Sequence, residues 1–168
     1  MSSLSDLSAS IGESGNRTAI LDSNLLVLWI TYRLGFAAFH HFKRVKSYSY
    51  QDALLLEWLI SQFKSIATTS YVLAETSNLA NELYGAQRES WFEELAKFAV
   101  ITDEAHVATK IVGLSDQIVR FGVADAALSY LSDKYTLITA EYRLSGYLEE
   151  AGQQVVNFNH LRPLWILA

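Results

Sequence analysis

The stretch Thr18-Ala-Ile-Leu-Asp22 decides the fold, because a short apolar run ends there in a carboxylate. Three further carboxylates occupy comparable places. Glu75 lies in Ser70-Tyr-Val-Leu-Ala-Glu75, Asp125 lies in Phe121-Gly-Val-Ala-Asp125, and Glu141 follows Tyr135-Thr-Leu-Ile-Thr-Ala140. Each acid stands at or just beyond a predicted strand end, or near the start of a predicted helix. Ligands of an open parallel sheet bind outside the carboxyl ends of its strands. The sequence therefore predicts an acidic site at that edge.

Short apolar runs alternate with longer amphipathic stretches along the chain. The predicted strands are residues 19–21, 66–69, 100–102, 136–139 and 155–158. The predicted helices are residues 51–63, 71–83, 91–98, 123–131 and 144–151, with Gly152 at a C-cap position after the last. Strands that alternate with helices indicate an α/β fold with an open, mainly parallel sheet and helices on both faces.

Residues 25–50 have a composition of their own. Residues 25–39 are apolar and aromatic nearly throughout, which predicts one well-buried helix. Ser49 is the predicted N-cap of the next helix, with Asp52 at its third position. The aromatic residues are interpreted as core, and a homodimer surface is their alternative use. They are Trp29, Tyr32, Phe36 and Phe39.

The composition limits the possible functions. The chain has 168 residues, 51% of them hydrophobic, which suits one domain with a substantial core. It has no cysteine, so disulfides and thiolate metal sites are excluded. A formal net charge of −5 argues against bulk electrostatic binding of nucleic acid. The charge is unevenly distributed along the chain, however. No acid lies between Asp22 and Asp52, whereas Lys43, Arg44 and Lys46 all lie in that interval.

Residues 1–17 are rich in serine and lack both a basic start and an apolar run, unlike a secretory signal. They are predicted to be a disordered leader before a single domain at residues 18–168. No apolar stretch reaches the roughly 18 residues that a membrane span needs. We therefore expect a soluble, cytoplasmic protein.

Four acids at one sheet edge predict metal-dependent hydrolysis. Carboxylates there can hold Mg²⁺ or Mn²⁺ with waters completing the shell. A metal so held polarises a phosphoryl oxygen and lowers the pKa of a bound water. Asn24 and Thr139 stand beside the first and last acids, where they can orient a water or a ligand. Lys43, Arg44 and Lys46 are predicted to bind an RNA backbone beside the acidic pocket, and a solvated loop flanking a helix is their alternative interpretation.

Each acid also has a structural interpretation. Asp22 can be a plain cap on the helix that follows it, and Glu75 can lie solvated on an exposed helix face. Asp125 and Glu141 can simply favour a helix N-terminus, where a negative charge is worth roughly 0.3–1 kcal/mol. The functional interpretation rests on all four acids falling on the same side of the sheet.

Four segments in order resemble the PIN-domain family over about residues 18–160. They are Ile20-Leu-Asp22-Ser-Asn24, Thr69-Ser-Tyr-Val-Leu-Ala-Glu75, Gly122-Val-Ala-Asp125 and Leu137-Ile-Thr139-Ala-Glu141. The resemblance implies a parallel sheet of about five strands, a negatively charged pocket and metal-dependent endoribonuclease activity. Asp22, Glu75 and Asp125 align with the family's three principal acids. The fourth position is commonly Asp, and here it is Glu141.

The resemblance also bears on partners. Many small bacterial members of the family are toxins that a partner peptide inhibits, which implies an antitoxin protein and RNA as partners. The insertion at residues 34–51 and the serine-rich leader depart from that pattern, and they weaken the toxin assignment more than the nuclease assignment. The alternative is a non-catalytic PIN-like module that binds RNA or protein through the same pocket.

Overall fold

Five strands form one open sheet in the computed structural model, which describes residue 11 and residues 15–166. The strands are β1 (Thr18–Leu21), β2 (Ser65–Thr68), β3 (Asp103–Glu104), β4 (Thr136–Thr139) and β5 (Val155–Asn157). Their order across the sheet is β3-β2-β1-β4-β5, and every neighbouring pair is parallel. The predicted α/β fold with a mainly parallel sheet of about five strands is confirmed.

Helices make the long connections that parallel strands need. Within residues 15–166 they are α1 (Ser23–Arg33), α2 (Phe36–His41), α3 (Tyr50–Ser61), α4 (Ser70–Leu79), α5 (Gly85–Ile101), α6 (Thr109–Gly113), α7 (Gln117–Phe121), α8 (Val123–Leu131), α9 (Tyr142–Glu150) and α10 (Phe158–Ile166). A short 3₁₀ helix, Lys43–Val45, follows α2. The chain moves one way across the sheet from β1 to β3 and the other way from β4 to β5. Right-handed crossovers therefore put helices on both faces.

The direction of travel reverses between β1 and β4, at the centre of the sheet. Ile20 pairs with Leu137 and Leu21 pairs with Ile138, and these side chains are fully or almost fully buried. The pairing extends one step beyond β1, because the backbone N–H of Asp22 donates to the carbonyl of Ile138 at 3.1 Å. Open α/β sheets bind ligands in the crevice at such a reversal.

The predicted single helix at residues 25–39 is wrong in one respect, because the chain breaks it into α1 and α2. Gly35 lies between them with φ +95° and ψ 173°, a backbone conformation that is essentially restricted to glycine. Trp29 and Phe39 are buried, as the core interpretation predicted. The side chain of Phe36 lies outside the described part of the chain.

The predicted strand at residues 100–102 is also wrong. Helix α5 runs on to Ile101, and Val100 and Ile101 are 84% and 76% exposed on it. The edge strand β3 comes next, and it is continued by a hydrogen bond of 2.7 Å from the Ala105 N–H to the Thr68 carbonyl. Periodicity cannot separate a short apolar run at a helix end from a short buried strand.

Two predicted helix ends are confirmed. The Ser49 hydroxyl accepts from the Asp52 N–H at 3.1 Å, and the Asp52 carboxylate accepts from the Ser49 N–H at 2.7 Å, which completes a capping box on α3. Gly152 has φ +69° and donates its N–H to the Glu149 carbonyl, closing α9. Asp52 also accepts two hydrogen bonds of 2.8 Å from Arg162, which joins α3 to α10.

In the part of the chain that the structure describes, no helix has the length and apolar character that crossing a membrane requires. Residues 1–10 and 12–14 lie outside the described residues. Most of the predicted leader therefore lies there too, and its disorder stays a prediction.

Candidate active site

All four predicted acids line one cleft of about 290 Å³. Asp22 directly follows β1, and Glu141 comes two residues after β4. Glu75 lies in the second turn of α4, which follows β2, and Asp125 lies in the first turn of α8, which leads into β4. The cleft thus stands at the carboxyl ends of the central strands.

Asp22 is held at the bottom of the cleft by three hydrogen bonds. Its Oδ1 accepts from the Leu25 N–H at 2.7 Å, which makes it the N-cap of α1. Its Oδ2 accepts from the Thr139 hydroxyl at 2.6 Å and from the Ala140 N–H at 2.8 Å. One oxygen therefore caps the helix and the other ties β1 to the segment after β4. The structural interpretation of Asp22 is correct for Oδ1 and does not exclude a functional role.

The environment of Asp22 works against its charge. Burial raises the pKa of this carboxylic acid above its ordinary value, since only 1% of the residue is exposed. The three hydrogen bonds oppose that shift by stabilising the carboxylate, and the nearby charge of Glu141 adds to it. A cation bound beside Asp22 would offset the free-energy cost of burying this negative charge.

The effect of the neighbouring acids is clearest in the pKa of Asp125. Its pKa is raised to about 7, first by burial and then by the charges of the other three acids. Those acids are Asp22, Glu75 and Glu141. The four carboxylates are therefore close enough to influence one another, which isolated surface acids would not be.

Glu75 and Glu141 form the exposed part of the acidic set. Glu75 Oε2 accepts from the Ser23 hydroxyl at 2.7 Å, which links α4 to the start of α1. Glu141 precedes α9, and its N–H donates to the Thr139 hydroxyl at 3.0 Å. Both side chains are exposed, so a ligand in the cleft can reach them.

The residues predicted to contact substrate fall into three places. Asn24 is exposed and lines the cleft, as its position beside Asp22 indicated. Thr139 is fully buried, so its hydroxyl positions Asp22 rather than facing the cleft. Lys43, Arg44 and Lys46 are exposed on and beside the 3₁₀ helix and do not line the cleft. The basic segment and the acidic set are thus not brought together in one pocket.

Two arginines that the sequence interpretation missed do line the cleft, Arg120 and Arg143. Each is close in sequence to one of the acids, Arg120 to Asp125 and Arg143 to Glu141. That proximity was the signal that could have singled them out. The sequence analysis instead predicted Lys43, Arg44 and Lys46 as the substrate-binding cations, because these three lie close together in the chain.

The donor set suits a hard divalent cation, although no ligand cage is preformed. Among the described residues, no three His, Cys, Asp or Glu side chains are arranged to hold a metal ion. Mg²⁺ usually keeps several waters and takes only one or two protein carboxylates. Four acids line one cleft, and burial together with the charges of the other three raises the pKa of Asp125 to about 7, so a bound cation would offset the repulsion among them.

Comparison with family models and with curated proteins finds no match: the chain matches no model of a known protein family, and no curated protein is significantly similar to it.

Proposed function

We propose that this protein is a metal-dependent endoribonuclease of the PIN type, which hydrolyses RNA phosphodiester bonds at the acidic cleft. The observation that carries the proposal is the convergence of Asp22, Glu75, Asp125 and Glu141 on one cleft where the strand order reverses. The raised pKa of Asp125 supports it, because perturbed carboxylic acids in a cleft are typical of functional sites.

The residues of the cleft have distinct parts in this proposal. A Mg²⁺ or Mn²⁺ ion held by the carboxylates would polarise the phosphoryl oxygen and supply a water of lowered pKa. Asp22 is the fixed ligand, because three hydrogen bonds hold it in place. Asp125, with a pKa of about 7, is able to accept or release a proton near neutral pH. Glu75 and Glu141 complete the set from the exposed side, and Asn24 orients water or substrate.

The test is cleavage of a labelled single-stranded RNA by the full chain with Mn²⁺ or Mg²⁺. We expect cleavage that EDTA abolishes and that Asp125→Asn reduces by more than about a hundredfold. Loss of even an outer partner of a metal site costs about 10–100-fold. Asp133→Asn is the matched control, since it removes an exposed carboxylate that does not line the cleft. Full activity after exhaustive chelation would refute the metal-dependent mechanism.

A second candidate is a non-catalytic PIN-like module that binds RNA or protein through this cleft. The observation that favours it is the lack of a preformed three-residue metal cage among the described residues. In that case RNA or protein would bind without turnover in any divalent metal. The antitoxin, the homodimer and the cytoplasmic location stay predictions.

A further inference from the structure

Two arginines line the acidic cleft. Arg120 lies in the last turn of α7, Arg143 lies in the first turn of α9, and both are exposed. Within residues 15–166, neither forms a salt bridge within 4.0 Å of a carboxylate or a hydrogen bond through its side chain. Their guanidinium donors are therefore available to a ligand, although four acids line the same cleft.

Aromatic rings hold these guanidinium groups in place. The Arg120 guanidinium carbon lies 5.4 Å from the ring centre of Phe121 and 5.2 Å from that of Tyr147. The Arg143 guanidinium carbon lies 5.9 Å from the ring centre of Phe121. We call Arg120, Phe121, Arg143 and Tyr147 the arginine shelf. Stacking on a ring leaves the N–H groups at the edge of a guanidinium able to donate to an anion.

The cleft therefore holds side chains of both charges. Among the described residues, Arg120 and Arg143 form no ion pair with the four acids that line the same cleft. The planar N–H groups of a guanidinium match the geometry of a phosphate. An RNA phosphate beside the acids is therefore within the part of the cleft that the two arginines also line.

We propose that the arginine shelf binds a backbone phosphate of a single-stranded RNA and so positions the strand beside the four acids of the cleft. The proposal rests on the proposed function for its choice of RNA. Tyr142 is 62% exposed, but it lines a different pocket with Asp52 and Arg162 and is not counted as part of the shelf.

The basic segment is not the expected phosphate contact. Lys43, Arg44 and Lys46 are separate from the cleft, so they are not needed to hold a strand against it. Removing two positive charges should weaken RNA binding at the shelf, whereas removing two from the basic segment should leave RNA binding unchanged.

The experiment measures binding rather than cleavage. Fluorescence anisotropy of a labelled single-stranded RNA oligonucleotide is recorded in Ca²⁺ at several salt concentrations, with the oligonucleotide checked by gel to be intact. The full chain is compared with Arg120→Gln/Arg143→Gln and with the matched control Lys43→Gln/Arg44→Gln. We expect the shelf variant to bind at least about tenfold more weakly. Its log–log salt slope should fall by about 0.7, the value for one lost phosphate contact on a single strand. The control should stay close to the parent in both.

One more double variant separates the loss of charge from the loss of guanidinium geometry. Arg120→Lys/Arg143→Lys keeps both charges and loses the planar fork. It should recover the salt slope while leaving part of the affinity loss. Thermal melts of all variants should match the parent, because both side chains are exposed.

Three results would contradict the proposed role of the shelf in RNA binding. These are an unchanged RNA affinity in Arg120→Gln/Arg143→Gln, an equal loss in the Lys43→Gln/Arg44→Gln control, and no RNA binding by the parent. A shelf variant that loses affinity for polyglutamate but not for RNA would assign the shelf to an acidic peptide instead. RNA that binds through the shelf but is not cut in Mn²⁺ would sustain the shelf and refute the nuclease.

Discussion

Thr139 is the side chain on which the geometry of the buried Asp22 carboxylate depends most directly. Its hydroxyl donates to Asp22 and accepts from the Glu141 N–H, so it joins two of the four acids. We expect Thr139→Val to lower the free energy of unfolding by about 1–3 kcal/mol, because a buried carboxylate loses one donor. Cleavage should fall as well, since Asp22 is no longer held. Urea melts and initial rates of RNA cleavage measure the two effects.

Thr68→Val is the matched control. Thr68 also ends a central strand, but within the described residues its buried hydroxyl has no hydrogen-bond partner. Removing it should be neutral or slightly stabilising. A Thr139→Val variant as stable and active as Thr68→Val would mean that the contact to Asp22 contributes nothing.

Asp125 makes the metal-free protein sensitive to pH. Its pKa is about 7 in the folded state against 3.8 for an ordinary Asp, so the native state keeps a proton that the unfolded chain releases. Stability contributed by that proton is fully present below pH 3.8 and is lost as the pH rises towards 7. The loss should be at most about 1.4 kcal/mol per pH unit. Asp125→Asn should flatten this part of the profile in urea melts between pH 4.5 and 7.5, while Asp133→Asn should keep the parent's slope. A parent profile as flat as that of Asp125→Asn would show that Asp125 is not perturbed.

At the level of residues, the acids could be predicted and the arginines could not. Each acid stands beside a recognisable strand end or helix start, which fixes its place at the sheet edge. The shelf depends on Arg120 meeting Tyr147, a contact between α7 and α9 that no local pattern indicates. The buried position of Thr139 was equally hidden, because alternation alone does not say how deep a strand end lies.

Gly122 controls the element that carries Asp125. It precedes α8 with φ +90° and ψ 176°, a conformation essentially restricted to glycine. We expect Gly122→Ala to cost about 1–3 kcal/mol in free energy of unfolding. It should also displace the first turn of α8, which holds Asp125. Thermal melts and the pH dependence of cleavage check both effects.

Gly146→Ala is the control for this substitution. Gly146 lies inside α9 without a positive φ, and an added methyl group would meet nothing within 4 Å. Alanine is the better helix former there, so stability should rise by up to about 1 kcal/mol. Equal effects of the two substitutions would contradict the conformational argument.

Two errors at the level of elements, the single helix at 25–39 and the strand at 100–102, have different physical causes. Gly35 ends the apolar segment's first helix through its backbone conformation, which hydrophobicity does not reveal. Val100 and Ile101 were predicted to form a strand because β-branched residues favour strands. They are instead the last two residues of α5, where their side chains are exposed to solvent. The capping box at Ser49 was predictable because its hydrogen bonds are local.

For the whole molecule, the alternation of strands and helices was sufficient to predict the fold class, and the strand order was not. The order β3-β2-β1-β4-β5 comes from pairing β1 with β4, 117 residues apart at the contact between Asp22 and Thr139. This reversal brings together acids from four separate segments. A sheet of the same strands in sequential order would separate Asp22 from Glu141 by two further strands.

We expect a bound divalent metal to add to the stability of the whole molecule. Without metal, the carboxylates repel one another, and two charges about 4 Å apart cost roughly 4 kcal/mol at an effective dielectric of 20. Asp125→Asn removes one charge at similar volume, so the metal-free variant should be as stable as the parent or more stable. It should lose RNA cleavage nonetheless. The parent should gain about 2.7 kcal/mol at a hundredfold excess of Mn²⁺ over its dissociation constant.

Paired thermal melts of the parent and Asp125→Asn, with and without Mn²⁺, separate this account from a purely structural one. If Asp125 acts only as a negative charge near the N-terminus of α8, its loss should slightly destabilise the fold and leave cleavage unchanged. The acidic-cleft account requires the reverse, a metal-free variant that melts no lower and gains less from Mn²⁺. A variant that melts lower without metal and still cuts RNA would show that Asp125 is a helix-end charge and not part of the site.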